Sequence, residues 1–335
     1  MDLTPDPLRE RLRRSVRDAL ATPGIDTDEA VSALLHALSA ALMELPVAAG
    51  GFDLGLTAGV VFEAELGRRA LPDRYLGLGL VADALGVQAD PDGPAGHVAA
   101  GRDPVVVGAL QPYAAARAVP AGWLLSGRAP LPGPVAGAYA CVPVRSGTET
   151  LLALLAPGLV ADRTAAAPGG GYGLTLDGLT VPGSAMIASL GEGSPLSDPD
   201  GLLLRLRVRQ AAYLAGLAAG AHALAVRHAG GRRQFGRPIL DNQGVSFPLA
   251  QIAITNQAAL LMVERAAWLA DTGQADPLAA VHALGLAVDA ALTAATAALQ
   301  VHGAIGLVTS RAPHRYYTTV RTAAVLLGPP AELWR

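Results

Sequence analysis

Apolar positions recur at helical spacing in two blocks of the chain and lose that spacing in between. In the first block, residues 1 to about 100, a helix is predicted from Pro5 to about Leu20, with Arg, Asp and Glu on its wet face. Thr27-Asp28-Glu29 reads as a cap before a second helix that runs through Leu45. From about 104 to 190, Pro and Gly punctuate short apolar runs: VVVGAL, GWLLSGR, AYACVPVR, TLLALLA and GLTLDGLTVP. Turn signals at that spacing predict a small β-barrel or sandwich. From 200 onward the helical period returns and predicts about four long helices. The first carries Leu, Val and Ala over Leu202 to Val226, with Gly216 and Gly220 on close-packed positions, and it stops at Gly230-Gly231. A second restarts near Val245 and runs to about Asp271; Pro277 starts a third and Gly303 ends it. The predicted fold class is therefore α+β. It has an N-terminal helical domain (1–103), a middle β domain (104–192) and a C-terminal four-helix bundle (193–335).

Composition narrows the function classes. Of 335 residues, 51% are apolar and 16% charged, so the chain can bury a large core. It has no lysine, and all 25 basic side chains are Arg. The net charge of −3 suggests no nucleic-acid partner. A single cysteine, Cys141, excludes an internal disulfide framework and a multi-cysteine metal site. The N-terminus is charged from its start and has no apolar core of a secretory signal, so a cytoplasmic protein is expected. The Ala/Leu runs at 202–226 and 278–299 are broken by Arg, Gln, Asp, Thr and Gly. They read as buried bundle helices, with no membrane partner expected.

The stretch with most chemical promise is His228 to Gln243, HAGGRRQFGRPILDNQ. An arginine pair in a glycine-flanked break between long helices suits bidentate capture of an anion such as a pyrophosphate. Spacing alone favours a solvated helix-helix turn.

RRQFGRPILDNQGVSFPLAQIA resembles the C-terminal signature of the acyl-CoA dehydrogenases. A second stretch, LQVHGAIGLVTSRAPHRYYTTVR (299–321), resembles that family's Q-x-x-G-G-x-G loop. Gly50 to Leu56 with Glu65-Leu66-Gly67-Arg68 resembles its N-terminal turn and helix, and LDGLTVPGSAMIASLGEG the strand that closes its middle domain. The resemblance implies FAD as cofactor and an acyl-CoA thioester as substrate, oxidised to the α,β-enoyl form. It implies that Arg232 meets the FAD pyrophosphate and that Gln234 lies in the same element. Phe235 packs on the adenosine side and Gly236 allows close approach. Gln300 and Gly303 belong to the phosphate-facing loop, where Ala304 stands in place of the usual second glycine. Gln243, Arg315 and Arg321 match family positions and are expected to be structural, the two arginines between helices.

Two departures from the family matter. The usual catalytic Glu position reads Gly328, so no catalytic residue is assigned; Glu332 lies four residues late. The other position used for the base reads Ala258, Ala259 and Leu260, and Glu264 beyond it is expected to be a surface or interhelical charge. His302 is expected to pack or cap at a helix end. The hydroxyl-bearing flavin loops of the middle domain are also missing, from Val107 to Tyr113 and from Arg128 to Gly133. What remains resembles the truncated partner subunit of α2β2 heterotetrameric, steroid side-chain type enzymes. That implies a longer paralogue carrying the catalytic Glu, a shared FAD, a possible bulky CoA thioester, and a chain inactive alone. Two alternatives stand beside it. One is a homomeric flavoprotein using Glu332 or His302 as base; the other is a catalytically dead structural or regulatory protein.

Overall fold

The structure is a computed structural model describing residues 6–85, 94–109, 114–135, 137–167, 171–192 and 201–327. Five helices come first: α1 (Pro7–Leu20), α2 (Asp28–Ala37), α3 (Leu56–Arg68), α4 (Tyr75–Leu85) and α5 (Pro94–Ala99). Asp6 caps α1 by accepting the Leu8 N–H at 3.0 Å, with Pro7 in the first turn where its missing N–H costs nothing. Thr27 caps α2 through its hydroxyl, as its sequence position predicts. The second helix ends at Ala37, not Leu45. Ser39 turns left-handed (φ 52°) and a 3-10 turn over Ala40–Leu42 follows. The reversal buries Ala40 and Ala41, and Glu44 just beyond it reaches the interior.

The strands of the large sheet fall between residues 105 and 192. They are β1 (Val105–Val107), β2 (Ala114–Val119), β3 (Gly122–Leu131), β4 (Tyr139–Ser146) and β5 (Glu149–Leu155). After the short helix α6 (Pro157–Val160) come β6 (Thr164–Ala166), β7 (Tyr172–Thr175), β8 (Leu179–Val181) and β9 (Met186–Glu192). They pair as one mixed sheet in the order β6-β7-β3-β2-β4-β5-β9, with β1 on β4 and β8 on β3. Strand β3 changes partner along its length: Trp123 to Leu125 pair with β8, and Arg128 to Leu131 with β7. The sheet has a core of its own, with Leu125, Val142, Val144, Leu155 and Leu174 buried.

Helix α7 (Leu202–Gly231) is the axis of the remainder. It packs on α3, on α8 (Gln243–Asp271) and on α9 (Pro277–His302); α10 (Ala312–Ala323) follows. Three long helices and one short one therefore form the C-terminal bundle. Glycines set the α3–α7 approach. A Cβ on Gly216 would lie 2.2 Å from the Ala64 carbonyl oxygen, one on Gly220 2.2 Å from that of Arg68, and one on Gly67 2.1 Å from that of Tyr213. No side chain fits there, so all three positions hold the helices backbone to backbone. Glu264 joins α8 to α1 through Arg9 (3.1 Å) and Arg13 (3.3 Å), the interhelical role expected of it.

A buried charge network lies where α4, α7 and the Glu44 segment meet. The Arg209 guanidinium is fully buried and donates to Glu44 (2.9 and 2.6 Å) and to Asp83 (2.7 Å). Arg205 donates to the same two carboxylates, each at 2.9 Å, and the Tyr75 hydroxyl to Glu44 at 2.8 Å. Gly59 and Gly79 make the room: a Cβ there would strike Glu44 Oε1 and Arg209 Nε. Glu63, also fully buried, faces the carboxyl group of Asp73. Burial, and then the neighbouring Asp73 charge and a hydrogen bond shared with it, push its pKa well above the usual range.

Candidate cofactor-binding site

The residues singled out in the sequence lie at one end of the bundle, on two helix exits. Helix α7 leaves its helical path at Arg232, whose backbone is extended (φ −77°, ψ 121°) and whose N–H still bonds the His228 carbonyl at 2.8 Å. The chain then makes a two-residue hairpin. Arg233 and Gln234 pair antiparallel with Arg237 and Pro238, and Phe235 (φ 50°) and Gly236 (φ 82°) form the tip. Positive φ at both tip residues is the signature of a tight primed turn. Glycine takes that conformation freely; phenylalanine is strained in it and needs support from its surroundings. The support is local. Arg233 donates to the Gly236 carbonyl (3.2 Å), Arg237 to the Asn242 side chain (2.7 Å), and Ile239 N–H to the Arg232 carbonyl (2.8 Å). The hairpin is thus braced while its tip projects: the Phe235 side chain is 97% exposed. Among the described residues the exposed Arg232 guanidinium makes no hydrogen bond or ion pair within the chain.

The second exit is that of α9. Gln300 is exposed in its last turn, and Gly303 (φ 62°) closes the helix by donating to the Gln300 carbonyl. A 3-10 turn, Gly303–Leu307, carries Ala304 exposed. Beyond φ, nothing crowds a Cβ at Gly303 or Gly236, so both are required for turn geometry rather than for space.

One contact joins the two exits. The imidazoles of His228, one turn before Arg232, and His302, one residue before Gly303, lie with centroids 4.0 Å apart and planes 30° tilted. A cleft of about 310 Å³ opens beside them, lined also by Leu224, Ile305, Arg311 and Pro313. Burial lowers the His228 pKa, and the neighbouring His302 and Arg232 lower it further. His302 holds Nδ1 2.7 Å from the Ala298 carbonyl, an acceptor, so this nitrogen carries the proton. That bond and the stack fit the packing and capping role expected of His302.

The other positions divide. Gln243 is exposed at the start of α8. Arg315 ties α10 to the end of α3 through the Arg69 carbonyl (3.3 Å), an interhelical contact. Among the described residues Arg321 bridges no helices: it stays on α10, 5.7 Å over the Tyr317 ring. Ala258 is exposed on α8 and Ala259 buried, and neither carries a titratable group. Gly328 and Glu332, and Leu110 to Tyr113 of the first middle-domain stretch, lie outside the described residues. The buried Glu63 and the half-buried Glu44 and Asp83 were not foreseen. Their signal was charge inside apolar helical runs, as in VVFEAELG.

A diphosphate suits this donor set. One planar guanidinium is free, further arginines flank it, and a glycine-closed helix end is tied alongside by the histidine pair. The described residues offer no counterpart group that would hold a metal.

Residues 200–332 match the family model for the acyl-CoA dehydrogenase C-terminal domain. Acyl-CoA dehydrogenase FadE28 of Mycobacterium tuberculosis is 30% identical over 165 residues, 48% of this chain and 45% of that protein. The first curated relatives are matched over 26–45% of their own length, so the chain covers less than half of each. Solved structures match throughout. The ChsE4-ChsE5 complex of Mycobacterium tuberculosis aligns with a TM-score of 0.81 at 22% identity, covering 100% of this chain and 97% of that one. A variant of the Tcur3481-Tcur3483 steroid ACAD aligns at 0.79 and 25% identity, over 98% and 95%. The fold is that of the acyl-CoA dehydrogenases, with helical N- and C-terminal parts around a mixed sheet.

Proposed function

We propose that this chain serves FAD-dependent α,β-dehydrogenation of an acyl-CoA as the subunit that carries no base. The observation that bears most weight is the braced hairpin that leaves the Arg232 guanidinium unpaired beside the end of α9. In this reading Arg232 binds the FAD diphosphate, bidentate and charge-assisted. Phe235 covers the adenosine side, and Gly236 lets the backbone approach. Gln300, Gly303 and Ala304 close the other side of the diphosphate. FAD, when bound, accepts the β-hydrogen of the substrate as hydride. Among the described residues no carboxylate, the base this reading calls for, lines the cleft beside the hairpin, whose titratable side chains are His228, His302 and Arg311. A longer paralogue with an intact Glu supplies that base, in an α2β2 assembly around a shared FAD. The structural likeness to the ChsE4-ChsE5 complex and to a steroid ACAD supports a bulky CoA thioester as substrate.

The test is a dehydrogenation assay on the co-expressed assembly. Glu332→Gln in this chain is expected to leave turnover within about twofold, whereas Glu→Gln at the paralogue's base is expected to remove about 10²-fold or more. Loss of turnover with Glu332→Gln alone would reassign the base to this chain.

A further inference from the structure

Four arginines meet at one corner of the molecule, where α3, α7 and α10 pack together. Arg68 and Arg69 end α3, Arg227 stands near the end of α7, and Arg315 lies near the start of α10. The corner is tightly held. The Tyr316 hydroxyl donates to the Arg68 carbonyl, Arg315 donates to the Arg69 carbonyl at 3.3 Å, and a Cβ on Gly220 would strike the Tyr316 hydroxyl. Burial raises the pKa of that phenol, and the charges of Arg315, Arg227, Arg68 and Arg69 each lower it, so all four lie within electrostatic reach of one ring.

Counter-charge is short there. Among the described residues Glu65 is the one carboxylate paired with any of the four, 3.7 Å from Arg68 Nε, and Arg17 already holds both of its oxygens at 2.7 and 3.0 Å. The side chains of Arg69 and Arg227 bond no described residue, and no acceptor among those residues meets the buried Nε atoms of Arg68 and Arg69. The whole chain carries a net charge of −3, so the positive excess is local. Like charges fixed together repel, and a bound anion relieves that repulsion. Guanidinium forks grip an oxyanion through two oxygens at a time. A docked protein would anchor on apolar side chains at the centre of its interface. Yet α3, α7 and α10 carry none of the exposed large apolar side chains of the described residues. A phosphate group suits the corner instead, being compact, with about two negative charges at pH 7 and strong acceptor oxygens. We infer that Arg68, Arg69, Arg227 and Arg315 bind a phosphate group, either free phosphate or that of a nucleotide. This inference does not depend on the cofactor reading.

Calorimetric titration of inorganic phosphate into the purified full chain, at fixed ionic strength, tests it. The parent is expected to bind phosphate, and Arg69→Gln and Arg227→Gln each to weaken that binding about tenfold. Because neither side chain bonds a described residue, both variants are expected to keep the parent's circular dichroism spectrum. Arg232→Ala is expected to bind phosphate as the parent does. ADP is titrated in parallel. Tighter binding of ADP than of phosphate, with the same dependence on Arg69 and Arg227, assigns the group to a nucleotide; equal binding assigns it to free phosphate. No binding by the parent, or equal affinity in the parent and both glutamine variants, overturns the inference. So does loss of binding with Arg232→Ala, which would put the phosphate at the hairpin. A hexaglutamate peptide that displaces phosphate at lower concentration than ADP does would overturn it too, and would make the corner a docking surface for an acidic protein.

Discussion

Replacing Arg232 with alanine is expected to weaken FAD binding by the assembly about ten- to a hundredfold. The estimate follows from the loss of a charge-assisted contact, on the order of 1.5–3 kcal/mol, at about 1.4 kcal/mol per tenfold. The fold gives the variant a clean reading. Arg232 is exposed, its side chain bonds none of the described residues, and its structural bonds run through the backbone N–H and carbonyl, which alanine keeps. The hairpin should therefore persist, and circular dichroism and denaturant midpoint should stay at the parent values. Arg232→Lys retains charge but loses the planar fork, and is expected to recover only part of the affinity. Arg233→Ala is the contrasting case. Its guanidinium braces the Gly236 carbonyl, so its loss should loosen the tip at Phe235 and give a smaller, indirect effect. Equilibrium dialysis of flavin against the parent and the three variant assemblies separates these outcomes. Equal binding by parent and Arg232→Ala would show that this arginine is not in the flavin site.

Replacing Arg209 with methionine is expected to cost about 3–5 kcal/mol of stability. The guanidinium is wholly inside the protein and bonds both Glu44 and Asp83. Methionine fills much of the volume but leaves two carboxylates with Arg205 as their remaining guanidinium, besides the Tyr75 hydroxyl on Glu44, and Arg205 is itself partly exposed. Removing one member of a buried ionic set is costly because the remaining charge has lost its solvent and its partner together. Arg205→Met, at the wetter edge, should cost clearly less. Gly79 sharpens the point: its missing Cβ is where Arg209 Nε lies, so Gly79→Ala should displace the same guanidinium and resemble Arg209→Met. Urea unfolding of the three variants measures this. A midpoint for Arg209→Met equal to that of Arg205→Met would mean that burial of the network is not what makes it matter.

Local signals along the chain carried much of this fold. Pro277 and Gly303 bracket α9 because a proline suits a first turn and a glycine a positive-φ exit. Gly216 and Gly220 read as close-packed positions, and their backbone contacts with α3 are the reason. Thr27 marks its helix start through a bond only three residues long. Features that depend on distant partners were hidden. Nothing near Ser39 announces a left-handed residue; the turn exists because Ala40 and Ala41 find cover and Glu44 finds Arg205 and Arg209, some 160 residues on. Strand β3 looks like one strand and serves two partners. Arg321 matched a bridging pattern but lies along its own helix beside Tyr317. In the candidate site, the arginine hairpin and the glycine exit were each legible as sequence. That they are one place follows from the His228–His302 stack, which no local pattern specifies.

The most direct test of the shared-site reading is the visible absorbance spectrum of this chain, purified alone and then with its longer paralogue co-expressed. The account predicts no flavin band from the chain alone and a flavin band from the assembly that diminishes with Arg232→Ala. A flavin-loaded chain in the absence of any partner would contradict it.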